Sequence, residues 1–139
     1  MEIPQKVRGT QDWFGEKQRY YTFIKKVSRH IFRHFGFTRI STPVMEMRDL
    51  IVRSVGEHTD VVSKELYEFK DKKGRDLVLK PESTAGVMRS YLENFQNDPQ
   101  PVYLFYIEPH FRYDRPQKGR YRQFHQLGAE IIGERDPVL

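Results

Sequence analysis

The chain has 139 residues, a formal net charge of +5, 37% hydrophobic and 14% aromatic residues, and no cysteine. The length suits one domain, and the aromatic content argues against intrinsic disorder. The absence of cysteine excludes a disulfide framework and thiol chemistry, and it favours a reducing, cytoplasmic location. No apolar run reaches the ~20 residues that cross a bilayer, and residues 1–13 lack an apolar signal segment, so we expect no secretory signal and no membrane partner.

Helical periodicity is the first signal along the chain. Residues 17–35 are predicted to form an amphipathic helix, because apolar side chains recur there at three- and four-residue steps. These side chains are Tyr20, Ile24, Val27, Ile31 and Phe35. A strand over residues 37–42 is predicted next, ended by Pro43, and a short helix is predicted after Glu46.

Turn signals separate the elements in the middle of the chain. Residues 71–74, DKKG, form a turn signal between the segments 66–69, LYEF, and 77–79, LVL, which predicts a β-hairpin. Pro81 ends the second strand, and a helix is predicted from about Glu82. The predicted apolar face of this helix carries Ala85, Met88, Leu92 and Phe95.

The last third of the chain is predicted to contain two long strands. A loop over residues 95–101 precedes a strand over residues 102–107, which continues past Pro109. After a turn at residues 115–119, a second strand returns to about Ile132. A helix followed by mostly antiparallel strands predicts an α+β fold, with a mostly antiparallel sheet flanked by helices.

The returning strand has two unlike faces, because successive side chains of a strand alternate between faces. We expect one face to contact a core through Tyr121, Leu127, Ala129 and Ile131. The other face is expected to form the floor of a polar groove with Arg120, Arg122, Phe124, Gln126, Gly128 and Glu130. A glycine in such a row is typical of a position that a ligand approaches closely.

The segment from His110 to His125 combines five basic side chains with one acid, Asp114, and with four interleaved aromatic rings. Cations attract phosphate groups, and aromatic rings offer stacking surfaces for nucleobases. The segment therefore indicates a site for phosphates and flat rings.

Residues 111–130, FRYDRPQKGRYRQFHQLGAE, resemble motif 2 of the class II aminoacyl-tRNA synthetases in its histidyl-tRNA synthetase form. Residues 8–12, RGTQD, resemble the opening of that family. Residues 36–43 together with Glu46 resemble its motif 1, and residues 81–85, PESTA, continue the match.

The resemblance implies a fold of the class II catalytic-domain type. Residues 1–139 would be its N-terminal portion, with motif 3 and the anticodon-binding domain outside this chain. The implied activity of the longer parent enzyme is ATP-dependent activation of L-histidine to histidyl-adenylate, followed by transfer to tRNA(His). Mg²⁺ is expected on the ATP, with no direct protein ligands to a metal, and motif 1 implies a homodimer.

The resemblance also implies roles for individual residues. Arg112 would be the catalytic residue, bridging the histidine carboxylate and the α-phosphate of ATP, a task that suits a bidentate guanidinium. The implied ATP-binding residues are Arg112, Asp114, Arg120 and Phe124. The implied histidine-binding residues are Glu82, Ser83, Thr84, Arg112, Gln126 and Glu130. Among them, Glu82 and Thr84 would hold the α-ammonium group, and Glu130 would accept a hydrogen bond from the imidazole.

Three places differ from the usual residues of the family. Asp114 stands where Glu is usual, Lys80 stands where Arg is common, and residues 108–110, EPH, replace a sequence of the Gly-Pro-Met type. None of these differences removes a residue to which the resemblance assigns the chemistry.

Two other functions remain open from the sequence. A catalytically silent synthetase paralogue would bind histidine as a regulatory subunit, and it would show no histidine-dependent exchange of pyrophosphate into ATP. A basic RNA-binding module would stack its aromatic rings on bases. The second alternative does not explain the carboxylates of Glu82 and Glu130, which would repel a nucleic acid.

Overall fold

Ten helices and strands occur in residues 3–134, the residues that the computed structural model describes. In chain order they are α1 (Gly15–His34), β1 (Thr38–Arg39), β2 (Met45–Met47), α2 (Arg48–Val55), α3 (Asp60–Lys64), β3 (Tyr67–Lys70), β4 (Asp76–Leu79), α4 (Thr84–Asn94), β5 (Val102–Phe111) and β6 (Gln123–Ile132). None of these helices is both long and apolar enough to cross a membrane.

The strands form two three-stranded sheets. In the first sheet, β5 lies between β1, to which it is parallel, and β6, to which it is antiparallel. In the second sheet, β4 lies between β2 and β3 and is antiparallel to both. The mostly antiparallel pairing, together with the helices, confirms the predicted α+β class.

The β3–β4 hairpin forms where the turn signal predicts it. Asp71 Oδ1 accepts hydrogen bonds from the backbone N–H groups of Lys73 and Arg75, at 2.8 and 3.0 Å. Gly74 has a φ of +78°, a conformation that residues with a Cβ rarely adopt. Side-chain capping of the turn and a permissive glycine therefore fix this hairpin locally.

The predicted strand over residues 37–42 is wrong in length, because the chain passes from one sheet to the other there. The backbone N–H of Ile40 donates to Phe105 O of the first sheet at 2.9 Å. Four residues later, Val44 O accepts from the Lys80 N–H, next to β4 of the second sheet, at 2.9 Å. Only β1 remains of the predicted strand, and β2 begins after the crossing.

Helix α1 forms as predicted, but its apolar stripe is not buried. The exposed fractions along the stripe are 61% for Tyr20, 55% for Ile24, 38% for Val27, 47% for Ile31 and 68% for Phe35. A neighbouring face packs instead: Phe32 stacks on Phe105 of β5 with ring centroids 4.8 Å apart, and Ser28 is buried. Periodicity identifies which side chains share a face, but it does not identify which face packs.

Helix α4 lies between two apolar clusters. Val87 packs with Ile40, Leu104 and Tyr106, and Ala85 packs with Ile51 and Val78. The predicted apolar face is therefore partly wrong, because Met88 and Leu92 are 37% and 58% exposed. The first turns of α4 contact both clusters, so three consecutive residues, Ala85 to Val87, are buried together.

The predicted core face of β6 is also wrong. Tyr121 precedes β6, which begins at Gln123, and Tyr121, Leu127, Ala129 and Ile131 are all exposed. β6 is the edge strand of its sheet, and α1 packs on the adjacent strand β5 through Phe32 and on this face of β6 at His125, through Tyr21. Within residues 3–134 this face of β6 is therefore left largely uncovered, and the opposite row, with Phe124 and Glu130, is half-buried.

Candidate functional site

A cavity of about 500 Å³ lies at the turn end of the β5–β6 hairpin. Its lining includes all four residues predicted to bind ATP, which are Arg112, Asp114, Arg120 and Phe124. Glu65 and His125 also line it. Two guanidinium groups and an aromatic ring thus meet in one concave place, which suits a phosphorylated, ring-bearing ligand.

Two arginines give this cavity its positive charge. The guanidinium carbon of Arg112 lies 5.4 Å from the centroid of the Phe124 ring, a cation–π distance. Arg120 forms an ion pair with Asp114 at 3.4 Å, and its side chain is 61% exposed. Such a solvated pair contributes little to stability, so Arg120 can exchange its partner at low cost.

The loop of the hairpin is tied to distant parts of the chain. The Tyr113 N–H donates to Glu65 O at 2.7 Å, and the Arg122 N–H donates to Gly9 O at 2.7 Å. The Arg122 guanidinium also lies 4.0 Å from the centroid of the Tyr113 ring. A Cβ on Gly9 would lie 2.7 Å from the Arg122 side chain, so glycine permits this close approach.

A second group of predicted residues meets at the start of α4. Both carboxylate oxygens of Glu82 accept backbone hydrogen bonds, from Thr84 N–H at 2.6 Å and from Ala85 N–H at 3.0 Å. The Thr84 hydroxyl donates to Glu130 Oε1 at 2.8 Å. Three of the residues predicted to bind histidine are therefore in contact, although Thr84 and Glu130 are 46 positions apart.

Arg112 connects this carboxylate group to the cavity. Its Nε donates to Pro81 O at 3.1 Å, one residue before Glu82. The guanidinium retains its other N–H donors, because this bond uses one of five. Arg112 is thus held between the Phe124 ring and the start of α4.

Tyr106 belongs to the same group and was not predicted. Burial, followed by the negative charge of Glu130, raises the pKa of the Tyr106 phenol. The ring lies across Gly128, its partner in the β5–β6 register, where an added Cβ would lie 2.3 Å from ring atoms. Gly128 therefore makes room for Tyr106, and this contact corrects its interpretation as a place of ligand approach.

Two other predicted residues are placed differently. The Ser83 hydroxyl is buried and lies 2.7 Å from His110 Nε2, so it is directed at that ring. Gln126 lines a second cavity of about 430 Å³, together with Trp13 and Tyr21. Gln126 does not line the cavity that holds Arg112, whereas its neighbour His125 lines both cavities.

A buried polar network lies beneath the site. Lys80 Nζ donates to Thr42 O, Thr42 Oγ1 and Glu108 Oε2, at 3.2, 3.0 and 3.3 Å. Glu108 Oε1 accepts a further hydrogen bond from Ser41 at 2.8 Å. Lys80 and Glu108, two of the positions that differ from the family's usual residues, therefore form an ion pair with each other.

His110 is another such position and is completely buried. Burial first, and then the positive charges of Lys80, Arg112 and His125, lower the pKa of His110 from its ordinary 6.5 to about 4. Its imidazole is therefore neutral at physiological pH. Among the described residues, no group of three or more His, Asp or Glu side chains is arranged to hold a metal ion.

Comparison with known proteins gives the family of the chain. The family model described as Histidyl-tRNA synthetase matches residues 9–138. A histidine–tRNA ligase from Thermosipho melanesiensis is 51% identical over 130 residues, which cover 93% of this chain and 31% of that relative. The chain spans about a third of the length of the curated relatives it matches.

Solved structures agree with this match. The apo histidyl-tRNA synthetase of S. aureus is 35% identical, with a TM-score of 0.79 over 97% of this chain and 30% of that one. A Bacillus halodurans protein named ATP phosphoribosyltransferase regulatory subunit/histidyl-tRNA synthetase is 25% identical, with a TM-score of 0.80 over 96% of this chain and 34% of its own. Because the family model covers nearly the whole sequence and includes the cavity and the α4 group, this chain belongs to the histidyl-tRNA synthetase family.

Proposed function

We propose that this chain is the N-terminal portion of the catalytic domain of a histidine–tRNA ligase. The enzyme would activate L-histidine with ATP and transfer it to tRNA(His), with motif 3 and the anticodon-binding domain outside these 139 residues. Since the chain spans about a third of the length of its curated relatives, activity is to be measured on the longest natural form of the protein.

The observation that carries this proposal is the position of Arg112 between two unlike groups. On one side is the cavity with Phe124 and Arg120, which suits adenine and phosphates. On the other side are the carboxylates of Glu82 and Glu130, which suit an ammonium group and an imidazole N–H. A single cation shared by two such sites suits a reaction that joins a nucleotide to an amino acid.

In the proposed first step, the histidine carboxylate attacks the α-phosphate of ATP and displaces pyrophosphate. A bond forms between a carboxylate oxygen and the α-phosphorus. The bond between the α-phosphorus and the oxygen that bridges to the β-phosphate breaks, and this oxygen leaves with pyrophosphate. Both reacting groups are anions, so the Arg112 guanidinium reduces their repulsion and stabilises the charge that develops on the α-phosphate. In the second step, the 3′-terminal hydroxyl of tRNA attacks the adenylate carbonyl and releases AMP.

The charge of the triphosphate is shared between protein and metal. Arg112 and Arg120 fit its oxygens, and the exposed Arg120 can exchange Asp114 for the distal phosphates. Mg²⁺, which we propose to arrive bound to ATP, neutralises further negative charge when present. Asp114 offers a carboxylate oxygen in the same cavity, a ligand type that Mg²⁺ accepts.

Histidine-dependent exchange of labelled pyrophosphate into ATP tests the proposal. We expect exchange with L-histidine and none without an amino acid. Arg115→Ala should keep this exchange and is the control for substitutions of the cavity arginines. Arg115 is exposed and lies in the same loop, but it does not line the cavity. Absence of exchange in the unsubstituted protein would refute the ligase function.

A second candidate function is a histidine-binding regulatory subunit without catalysis. The similarity to the Bacillus halodurans protein, whose name includes a regulatory subunit, favours this candidate. Calorimetric binding of histidine without any pyrophosphate exchange would select it. The meeting of Arg112, Arg120 and Phe124 in one cavity supports the enzyme instead, because a protein that binds only histidine has no need of a nucleotide site.

A further inference from the structure

The segment between β4 and α4, residues 80–83, is attached to β5 and to the residue after it by four contacts. They join Lys80 Nζ to Glu108 Oε2 (3.3 Å), Lys80 O to the Phe111 N–H (3.0 Å), Pro81 O to Arg112 Nε (3.1 Å) and Ser83 Oγ to His110 Nε2 (2.7 Å). Lys80, Ser83 and His110 are each at most 1% exposed. The position of Glu82 is therefore set by buried contacts on both sides.

The Ser83 side chain makes an unusual contact for an N-cap residue. Ser83 is the N-cap residue of α4, where a serine hydroxyl ordinarily accepts a hydrogen bond from the first turn of the helix. Here the Ser83 side chain makes no cap bond, and Glu82 accepts from the Thr84 and Ala85 N–H groups instead. The Ser83 hydroxyl is committed to His110, which fixes the point where α4 begins.

The His110 ring contacts both halves of the site. Nε2 bonds to Ser83, and the ring centroid lies 5.9 Å from that of Phe124. Nδ1 is buried, and among the described residues Ser83 is the side chain to which the ring forms a hydrogen bond. The hydrogen bond between Nε2 and Ser83 Oγ forms with either neutral tautomer of the imidazole, because a serine hydroxyl can donate or accept.

We propose that His110 is a positioning residue for histidine activation, acting through Ser83. Its bond holds the start of α4, so that Glu82 and Thr84 stay at the amino-acid end of the site. The proposal rests on the ligase function proposed above, and it concerns the geometry of that same site. His110 itself is buried beneath Ser83 and Phe124 and is not assigned a contact with substrate.

Kinetics of pyrophosphate exchange test this role. His110→Phe keeps a ring against Phe124 but loses the nitrogen that bonds to Ser83, and we expect the histidine KM to rise about tenfold with the ATP KM within twofold. Ser83→Ala should behave alike, and the double variant should be no worse than either single variant, because both remove one bond. His110→Gln, whose side-chain amide can donate to or accept from the Ser83 hydroxyl, should recover most of the loss.

The proposal would be overturned if the two single variants' increases in the histidine KM multiplied in the double variant. It would also be overturned if His110→Phe raised the KM of histidine and the KM of ATP equally. A second measurement does not need catalysis. Amide hydrogen exchange at Thr84 and Ala85 should become about tenfold faster in His110→Phe, while the amides of the last turn of α4 keep their rates. Unchanged amide exchange at Thr84 and Ala85 overturns the positioning role. Lack of histidine-dependent pyrophosphate exchange in the unsubstituted protein refutes the ligase function instead, and the amide rates then decide the role of His110.

Discussion

Arg112 is held in place by a neutral partner rather than by an acid, since its Nε donates to a backbone carbonyl. Its positive charge is therefore available to the two anions of the proposed reaction. In Arg112→Ala we expect the single-turnover rate of adenylate formation to fall by ~10²-fold or more, as when a charge-stabilising donor is removed. Arg115→Ala should keep the rate. An unchanged rate accompanied only by weaker ATP binding would contradict the bridging role.

Glu130 is the residue by which the proposed site would identify the imidazole of histidine. Its Oε1 already accepts the Thr84 hydroxyl, which orients the carboxylate and leaves other lone pairs for a substrate N–H. Glu130→Gln keeps the volume but weakens a charge-assisted bond, so histidine activation should lose about 1.5–3 kcal/mol in kcat/KM. The ATP KM should change much less, because the adenine site at Phe124 is six residues away, ~20 Å along the strand. Histidine parameters within twofold of the unsubstituted protein would remove Glu130 from this role.

His110 also predicts a pH dependence of stability. Its pKa is lowered from 6.5 to about 4 by burial and then by Lys80, Arg112 and His125. Between these values the unfolded chain binds a proton that the folded protein does not, so stability falls as the pH drops from 6.5 towards 4. The lost free energy of unfolding should be about 2–3 kcal/mol. The free energy of unfolding, measured with urea, should fall more between pH 7 and pH 4.5 for the unsubstituted protein than for His110→Phe. Equal losses in the two proteins would show that His110 does not titrate in this window.

At the scale of elements, β2 and α4 are joined by a partly buried ion pair. Arg89 of α4 donates to both oxygens of Glu46, at 2.8 and 3.1 Å, and the Glu46 side chain is 6% exposed. Arg89→Met leaves that carboxylate without its cation, and we expect a loss of about 2–4 kcal/mol in the free energy of unfolding. As a control, Lys70→Met removes an exposed pair with Asp76 and should cost under ~1 kcal/mol. If Arg89→Met costs no more than Lys70→Met, the pair does not join the two elements.

The elements that sequence could predict are those fixed by neighbouring residues. Asp71 and Gly74 determine the β3–β4 turn, and apolar spacing determines that α1 is a helix. The side of α1 that packs depends on the stacking of Phe32 on Phe105, 73 residues later, and no local pattern contains that information. Faces of elements were therefore less predictable than the elements themselves.

The candidate site also has a part that sequence could predict and a part that it could not. The cavity residues were predictable because they belong to one hairpin, in which Arg112, Arg120 and Phe124 are close in sequence. The contact of Tyr106 with Gly128 requires the register of two strands. The bond between Ser83 and His110 joins residues 27 positions apart. Only the fold brings these residues together, and neither contact has a sequence signal of its own.

At the scale of the whole molecule, the two sheets meet at Lys80. Its backbone N–H donates to Val44 O, its backbone O accepts from the Phe111 N–H, and its side chain reaches Thr42 and Glu108. The crossing segment between β1 and β2 is thus attached to the same residue that precedes Pro81 and Glu82. The segment that resembles motif 1 is therefore joined through Lys80 to the chain that leads into the proposed histidine site.

The segment that resembles motif 1, residues 36–43 with Glu46, implies a dimer interface. We therefore predict a two-fold homodimer for the longest natural form of the protein. Of the apolar residues in the segment 37–46, Ile40 is 8% exposed and belongs to a core cluster, so it is not available to a partner. Val44 and Met45 are 38% and 55% exposed, and they offer apolar surface at the start of β2. Apolar side chains of this exposure commonly form the centre of an interface.

Light scattering at micromolar concentration should give twice the monomer mass. Met45→Asp places a charge at the proposed interface and should raise the dimer dissociation constant at least tenfold, since buried interface positions tolerate charge poorly. Leu92→Asp is the matched control, because Leu92 is 58% exposed on α4 and lies outside motif 1. A monomeric unsubstituted protein would contradict the homodimer, and equal weakening by both variants would place the interface elsewhere than motif 1.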